Sequence, residues 1–403
     1  MARVAINGFG RIGRLVARSI CERRDCGLEL IAINELADPR TSASLFARDS
    51  VHGRFAGEVV CNGRDMIIDG VRVQMTSKDD PRTLPHAANG IDIVLECTGR
   101  LASRAGAELH LFAGARRVLV SAPATDADLT VVFGINQDRL RPAHRIVSSA
   151  SCTTNCLAVV SKVLNEAVGI ARGLTRTIHG YTADQPLLDR QQYDLRRARA
   201  GGVSIIPLAT FSPDAVGDLL PELKGRIRGS AVRVPVPNVS LIELIFEARQ
   251  RTTRDEINAA FEAAAESGSL SGLLRLAKEP FVSTDFGHSS ESAIVDALET
   301  KVVGETMVRI VSWYDNEWAY AQRVIDVAVA MSSNGLCPRG NTCAPPKPRC
   351  DLQPAASSIS KPPCGGAVSP AQGHSMFGET QLTSEGDLRV LQLDSSSNRT
   401  SAS

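Results

Sequence analysis

The chain has 403 residues, with 45 Lys and Arg against 44 Asp and Glu and a formal net charge of +1. That balance argues against a polyanion binder, whose phosphate contacts need a positive excess, and 4% aromatic residues are too few for a stacking platform on single-stranded nucleic acid. With 43% hydrophobic and 22% charged residues the composition is ordinary for a globular chain, long enough for two or three domains of roughly 150 residues each.

RVAING (3–8) reads as a short strand, followed by RIGRLVARSICERR with apolar residues at helical spacing. LELIAIN (28–34) is the next strand. IDIVLEC (91–97), RRVLVSA (116–122), LTVVFGIN (129–136) and HRIVSSAS (144–151) follow, with helical AGAELHLFAGA between the first two. Continuous apolar strands separated by helices predict a parallel sheet covered on both faces. The helical stretch NCLAVVSKVLNEAVG (155–169) then leads into long β-rich runs, GLTRTIHGY, SAVRVPVPNVSLIELIFEAR, SAIVDALETKV and ETMVRIVSWYD. Two helical segments, RDEINAAFEAAAE and NEWAYAQRVIDVAVAMS, punctuate them. Long strands with few crossovers predict a mixed or antiparallel sheet carrying helices on one face.

Composition changes near residue 333. Residues 333–403 are rich in Pro, Ser and Gly, and such a segment cannot bury enough apolar surface to offset its ordering entropy. A low-complexity, disordered tail is expected there, with LRVLQL (388–393) able to dock transiently. Of ten cysteines, four (Cys337, Cys343, Cys350, Cys364) fall in this tail. They match no zinc spacing, and no metal is expected. No apolar run of about 18 residues exists, so no membrane span is predicted. The start, MARVAINGFG, lacks a signal-peptide pattern. A cytoplasmic protein with reduced cysteines is expected.

Gly8-Phe9-Gly10-Arg11-Ile12-Gly13 is a G-x-G-x-x-G that follows a strand and opens a helix, which is the context a dinucleotide fingerprint requires. Gly8 allows the tight turn, Gly10 lets backbone approach a pyrophosphate, and Gly13 lets helix pack on strand. The helix start offers unpaired N–H groups to that pyrophosphate. Glu35, at 35 − 13 = 22 residues beyond Gly13, is the acidic residue expected about 20 residues on. It suits a ribose diol and repels a 2′-phosphate, favouring NAD over NADP.

Ser151-Cys152-Thr153-Thr154-Asn155-Cys156 lies where a strand meets a helix. A cysteine at a helix N-terminus gains thiolate stabilisation from the dipole and N–H groups. Cys156, one turn further in, is expected to be a small buried hydrophobe. A catalytic thiol needs a base. His179 ends the strand-like run LTRTIHGY, 179 − 152 = 27 residues later, and a strand–helix–strand excursion of that length can return the chain alongside its start. His52, His86, His110, His144 and His288 read as ordinary surface or core residues. An NAD site plus a thiolate points to aldehyde oxidation. The thiolate attacks the carbonyl, hydride leaves to the nicotinamide, and phosphate or water releases the thioester. His179 handles the proton, and the Cys152 N–H stabilises the oxyanion.

The strings INGFGRIGR, SASCTTNC, TIHGYTADQ, DLRRARA, VRVPVPNVS and SWYDNEW resemble the phosphorylating glyceraldehyde-3-phosphate dehydrogenase family, from about residue 2 to about 332. The resemblance implies an α/β fold: an NAD-binding Rossmann domain (1–150) closed by the C-terminal helix 316–332, and an α+β catalytic domain (151–315) with a mixed or antiparallel sheet. It implies a homotetramer working in glycolysis. Cys152 is then the nucleophile and His179 its base. Arg11 and Ile12 lie at the pyrophosphate turn, Ser121 near the cofactor, and Asn316 at the nicotinamide carboxamide. Substrate anions fall to Ser151, Thr153, Thr182, Asp184, Arg197, Thr210 and Arg233; a planar guanidinium suits phosphate.

Other strings, NELAD, INQDRLRPAHRIVS and EPFVSTDFGH, resemble the related erythrose-4-phosphate dehydrogenases, which release their product to water. Phe211 stands where the glyceraldehyde enzymes usually have glycine after Thr210, so one phosphate site is expected to be reshaped. Arg190-Gln191 replaces a Leu-Pro frequent in NAD-specific relatives, and Arg190 is expected to tolerate NADP. Three readings follow: glyceraldehyde 3-phosphate oxidation with inorganic phosphate, erythrose 4-phosphate oxidation with water, and a non-catalytic binding paralogue. Retention of Cys152, His179, Arg233 and Asn316 together argues against the last.

Overall fold

The computed structural model describes residues 1–333, so the expectations for the tail beyond Ser333 lie outside the described residues. Strand β1 (Ala2–Asn7) runs into the glycine turn and helix α1 (Arg11–Glu22), and β2 (Leu28–Asn34) returns parallel to β1. Helix α2 (Pro39–Ala47) and a small hairpin of β3 (Arg48–Asp49) and β4 (Gly53–Arg54) follow. Three strands then form an edge, β5 (Val59–Asn62), β6 (Asp65–Ile68) and β7 (Val71–Thr76). After β8 (Ile93–Glu96) come α3 (Arg104–Phe112), β9 (Arg117–Val120), β10 (Leu129–Thr130) and β11 (Ile146–Ser148).

The first sheet has nine strands in the order β10-β11-β9-β8-β1-β2-β7-β6-β5. It is parallel from β10 to β7, but β5, β6 and β7 pair antiparallel. That arm departs from the all-parallel expectation. Its two-residue turns are Gly63-Arg64 and Asp69-Gly70, with Gly63, Asp69 and Gly70 at positive φ, the chemistry of tight hairpins. The expected strand LTVVFGIN shrinks to Leu129–Thr130. The Asn136 side chain takes Val132 N–H and donates to Thr130 O, both at 2.9 Å, which curls the chain out of the sheet. Strand order reverses between β1 and β8, a switch point of the kind where open α/β sheets bind ligands.

The second sheet follows α4 (Cys152–Ala167). Its members are β12 (Ile170–Gly180), β13 (Ile206–Leu208), β14 (Ile227–Val234), β15 (Ser240–Ala248), β16 (Leu274–Ala277), β17 (Ala293–Asp296), β18 (Lys301–Val303) and β19 (Met307–Tyr314). The order is β13-β14-β12-β15-β19-β17-β16, with β18 on β19. It is mixed, as expected. Helices α5 (Ser212–Leu219) and α6 (Arg254–Glu266) join α4 in covering its core. The run SAVRVPVPNVSLIELIFEAR divides into β14 and β15 at Pro235 and Pro237, which cannot donate to a ladder. The last helix, α7 (Trp318–Ser333), packs on the core of the first sheet beside α1, where Ser19 Oγ donates to Gln322 Oε1 at 3.0 Å. Leu15, Phe46, Val324 and Ile325 are fully buried there, each worth about 1.5–3 kcal/mol of transfer free energy.

Candidate active site

The cofactor end is built from contiguous backbone. Gly8 has φ +89°, and a Cβ on it would lie 2.8 Å from Thr98 Cα, just beyond β8. Gly10 caps α1 without a side-chain bond, and a Cβ there would meet nothing within 4 Å. The space over the helix start is therefore open to a pyrophosphate. At Gly13 a Cβ would fall 2.0 Å from Gly8 O, so helix and turn touch as glycine alone permits. Glu35 accepts Phe9 N–H at 2.7 Å with one oxygen and Leu36 N–H at 2.8 Å with the other. It faces a cavity of about 260 Å³ with Gly8, Gly10, Asn34, Lys78 and Thr98. These residues fit a dinucleotide.

Behind the turn lies a buried polar chain the sequence reading missed. Glu96 accepts Asn7 Nδ2 at 2.6 Å and Thr98 N–H at 2.8 Å, and lies 2.9 Å from His110 Nε2. Burial alone would raise this carboxyl, but those donors hold it below its ordinary value. His86 and His110 are thus core residues, as expected. His52 is also half of a contact, 3.1 Å from Glu317 Oε2.

The thiol end is assembled from distant segments. Ala150 adopts a left-handed φ of +56°, turning the chain from β11 into α4. Ser151 caps α4 by accepting Thr154 N–H at 3.0 Å, which sets Cys152 at the first helical position. Tyr320 Oη donates to Ala150 O at 2.9 Å and braces that turn. Cys152 Sγ lies 3.4 Å from His179 Nε2. His179 Nδ1 lies 2.7 Å from Gly180 O, which can only accept, and against Arg233 Nη1, which can only donate; in the tautomer protonated at Nδ1 the Nε2 lone pair faces the thiol. Arg233 is the registered partner of His179 across β12 and β14. Its Nη1 touches His179 Nδ1 and donates to Gly180 O at 3.0 Å.

Two effects oppose each other at the thiol. Burial pushes the Cys152 thiol up, against the Arg233 charge, the Thr153 hydroxyl and the helix N–H groups. Burial and Arg233 push His179 down to about 3. At the Cys152 sulfur desolvation by burial works against the helix start and the Arg233 charge, which favour the thiolate. A neutral imidazole with its lone pair on the sulfur is still a base. Cys156 is fully buried, 3.5 Å from Ser312 Oγ, with its thiol pushed up to about 12.

A cavity of about 430 Å³ is lined by Gly10, Arg11, Ile12, Ser121, Ser151, Cys152, His179, Thr182, Asp184, Arg233 and Asn316. It shares Gly10, Cys97 and Thr98 with the first cavity, so the two form one cleft. Ser121 Oγ donates to Glu96 O at 2.9 Å. Arg11 is no free cation: it pairs with Asp49 and Glu317, each at 2.5 Å. Thr153 is buried, its Oγ1 2.8 Å from Tyr314 Oη, and stands behind the thiol rather than in the cleft. Asp184 accepts from Thr182 Oγ1 and, at 2.8 Å, from Arg197 Nη1, which places Arg197 at the rim. Thr210, Phe211 and Arg190 line neither cavity, and Phe211 is 80% exposed at the start of α5. The residues missed from sequence are Glu317, Tyr314, Tyr320 and Ser240; the first two lie in the SWYDNEW string and Ser240 ends VRVPVPNVS.

A dinucleotide turn opening into the same cleft as a cysteine–histidine pair defines a class, the nicotinamide-dependent oxidoreductases. Residues 2–104 match the family model for the glyceraldehyde 3-phosphate dehydrogenase NAD binding domain, and residues 151–316 match that for its C-terminal domain. The chain is 52% identical over 333 residues to the glyceraldehyde-3-phosphate dehydrogenase of Xanthobacter flavus, covering 83% of this chain and 99% of the relative. It is 49% identical over 335 residues to that of Geobacillus stearothermophilus, with the same coverage, and 49% identical over 331 residues to that of Zymomonas mobilis, covering 82% and 98%. The chain belongs to the glyceraldehyde-3-phosphate dehydrogenase family and is an NAD-dependent dehydrogenase. The erythrose-4-phosphate alternative is not favoured.

Proposed function

We propose that the chain oxidises glyceraldehyde 3-phosphate through a thioester on Cys152 and releases the acyl group to inorganic phosphate. The observation that carries this reading is the 3.4 Å approach of Cys152 Sγ to His179 Nε2 at the start of α4. NAD, when bound, supplies the hydride acceptor. His179 Nε2 takes the thiol proton as sulfur attacks the aldehyde carbon, and the N–H of Cys152, free at the first helical position, steadies the developing oxyanion. The protonated imidazole then donates to that oxygen to give the thiohemiacetal. When hydride leaves the carbon, Nε2 accepts the hydroxyl proton and a thioester remains. Phosphate attack breaks the C–S bond, and the thiol regains its proton.

Arg233 beside the thiol, and the Thr182–Asp184–Arg197 set at the rim, are assigned to the two phosphates. Asn316 is assigned to the nicotinamide carboxamide, and Glu35 to the adenosine ribose, with preference for NAD over NADP. The domains are taken as residues 1–150 with α7, and 151–315. A homotetramer is proposed because Leu187, Leu188, Tyr193, Leu195, Val203 and Ile205, all on the 181–205 loop, are exposed apolar side chains. No helix among the described residues is long and apolar enough to cross a membrane, which suits a cytoplasmic location. The test is NADH formation with each aldehyde, with and without phosphate. Phosphate-dependent turnover of glyceraldehyde 3-phosphate is expected; phosphate-independent turnover that prefers erythrose 4-phosphate would overturn the reading.

A further inference from the structure

We propose that Ser240 is a positioning residue that fixes which end of the Asn316 amide faces the cofactor. The proposal rests on the assignment of Asn316 to the nicotinamide carboxamide. Ser240 and Asn316 are buried, at 2% and 4% exposure. Ser240 Oγ accepts the N–H of Gly180 at 3.1 Å and lies 2.8 Å from Asn316 Oδ1. A hydroxyl carries one proton. With one lone pair filled by Gly180, that proton goes to Oδ1. Turning the amide over would bring two donors against the hydroxyl and leave its own proton without an acceptor in a buried place. Oδ1 is therefore held inward. Nδ2, which makes no hydrogen bond to the described residues, is the end left for the cleft that Asn316 lines with Cys152 and His179. A donor facing the cleft suits a carboxamide carbonyl.

The placement of Ser240 is built at a cost in backbone strain. Val239, β-branched and buried, has φ +65°, a conformation that persists only where the surroundings over-determine it. The surroundings are Asn238, whose Nδ2 donates to Asp315 Oδ2 at 2.8 Å, and Asp315 itself, which also accepts Glu317 N–H and Trp318 N–H at the start of α7. Ser240 then opens β15 opposite Tyr314, the last residue of β19. One hydroxyl thus ties the strand end that carries His179 to the amide that faces the nicotinamide.

Calorimetry on the full chain, with NAD and with ADP-ribose as a probe lacking the nicotinamide ring, tests this. Asn316→Ala and Ser240→Ala are each expected to weaken NAD about tenfold, the effect of one hydrogen bond. The double variant should be no weaker than either single one, and ADP-ribose affinity should stay unchanged throughout. Ser240→Thr, which keeps the hydroxyl, should bind NAD like the parent. If Asn316→Ala weakens NAD while Ser240→Ala does not, if the two losses multiply, or if ADP-ribose affinity falls in parallel, the positioning role is wrong. A tenfold loss of NAD affinity in Ser240→Thr with ADP-ribose intact contradicts it as well. Unchanged NAD affinity in Asn316→Ala removes the carboxamide assignment itself, and the proposal with it.

Discussion

The two ends of the cleft are built in opposite ways. The cofactor end is made by six consecutive residues, Gly8 to Gly13, and one carboxylate that caps their backbone. The thiol end draws on α4, β12, β14 and the start of α7, segments up to about 170 residues apart, as in the Tyr320–Ala150 bond. The first is a local conformation with space left over it. The second is a register effect, in which His179 and Arg233 meet because two parallel strands align. Local sites tolerate distant changes, whereas register sites depend on the whole sheet.

The sharpest way to separate the two ends is Cys152→Ser, expected to lower turnover by about 10⁴-fold or more while NAD affinity is kept. Turnover within tenfold of the parent would remove the thioester route. His179→Asn should lower kcat by about 10²–10⁴-fold, the usual worth of a positioned base, again with NAD binding intact. At the other end Glu35→Ala removes the acceptor for Phe9 and Leu36 N–H and should raise KM for NAD roughly tenfold with little change in kcat. A fall in kcat as large as that of His179→Asn would show that the two ends are not separable.

The smallest effect is on stability. Burial pushes His86 down to about 4 and His179 down to about 3, against about 6.5 in the unfolded chain. Between those limits the unfolded state binds more protons, so stability falls as pH falls below about 6.5. Each histidine contributes at most roughly 1.4 kcal/mol per pH unit. Urea unfolding at pH 7 and pH 5 should show this loss, reduced in His179→Asn; equal stability at both values would contradict it.

The same contrast explains what could be read from sequence. The glycine turn and Glu35 were legible because their geometry is local, and Cys152 because a strand–helix junction is. His179 followed from one plausible excursion. Ser240 and Tyr314 lie in the strings VRVPVPNVS and SWYDNEW, but their pairing was invisible: they meet through strand register, and nothing in the residue type predicts a left-handed Val239. The β5–β7 arm was not read: its turns at Gly63-Arg64 and Asp69-Gly70 carry hairpin chemistry, but its strands are too short for periodicity to reveal. The burial that pushes the thiol up and the imidazole down was not legible either, since desolvation depends on packing from both sheets.

The central claim is that Cys152 carries the acyl group. The direct measurement is a rapid-mixing experiment with NAD and glyceraldehyde 3-phosphate but no phosphate, followed by mass analysis of the trapped chain. A burst of about one NADH per chain, with the acyl mass on the Cys152 peptide, is predicted. A burst without that adduct, or an adduct on another residue, would contradict the account.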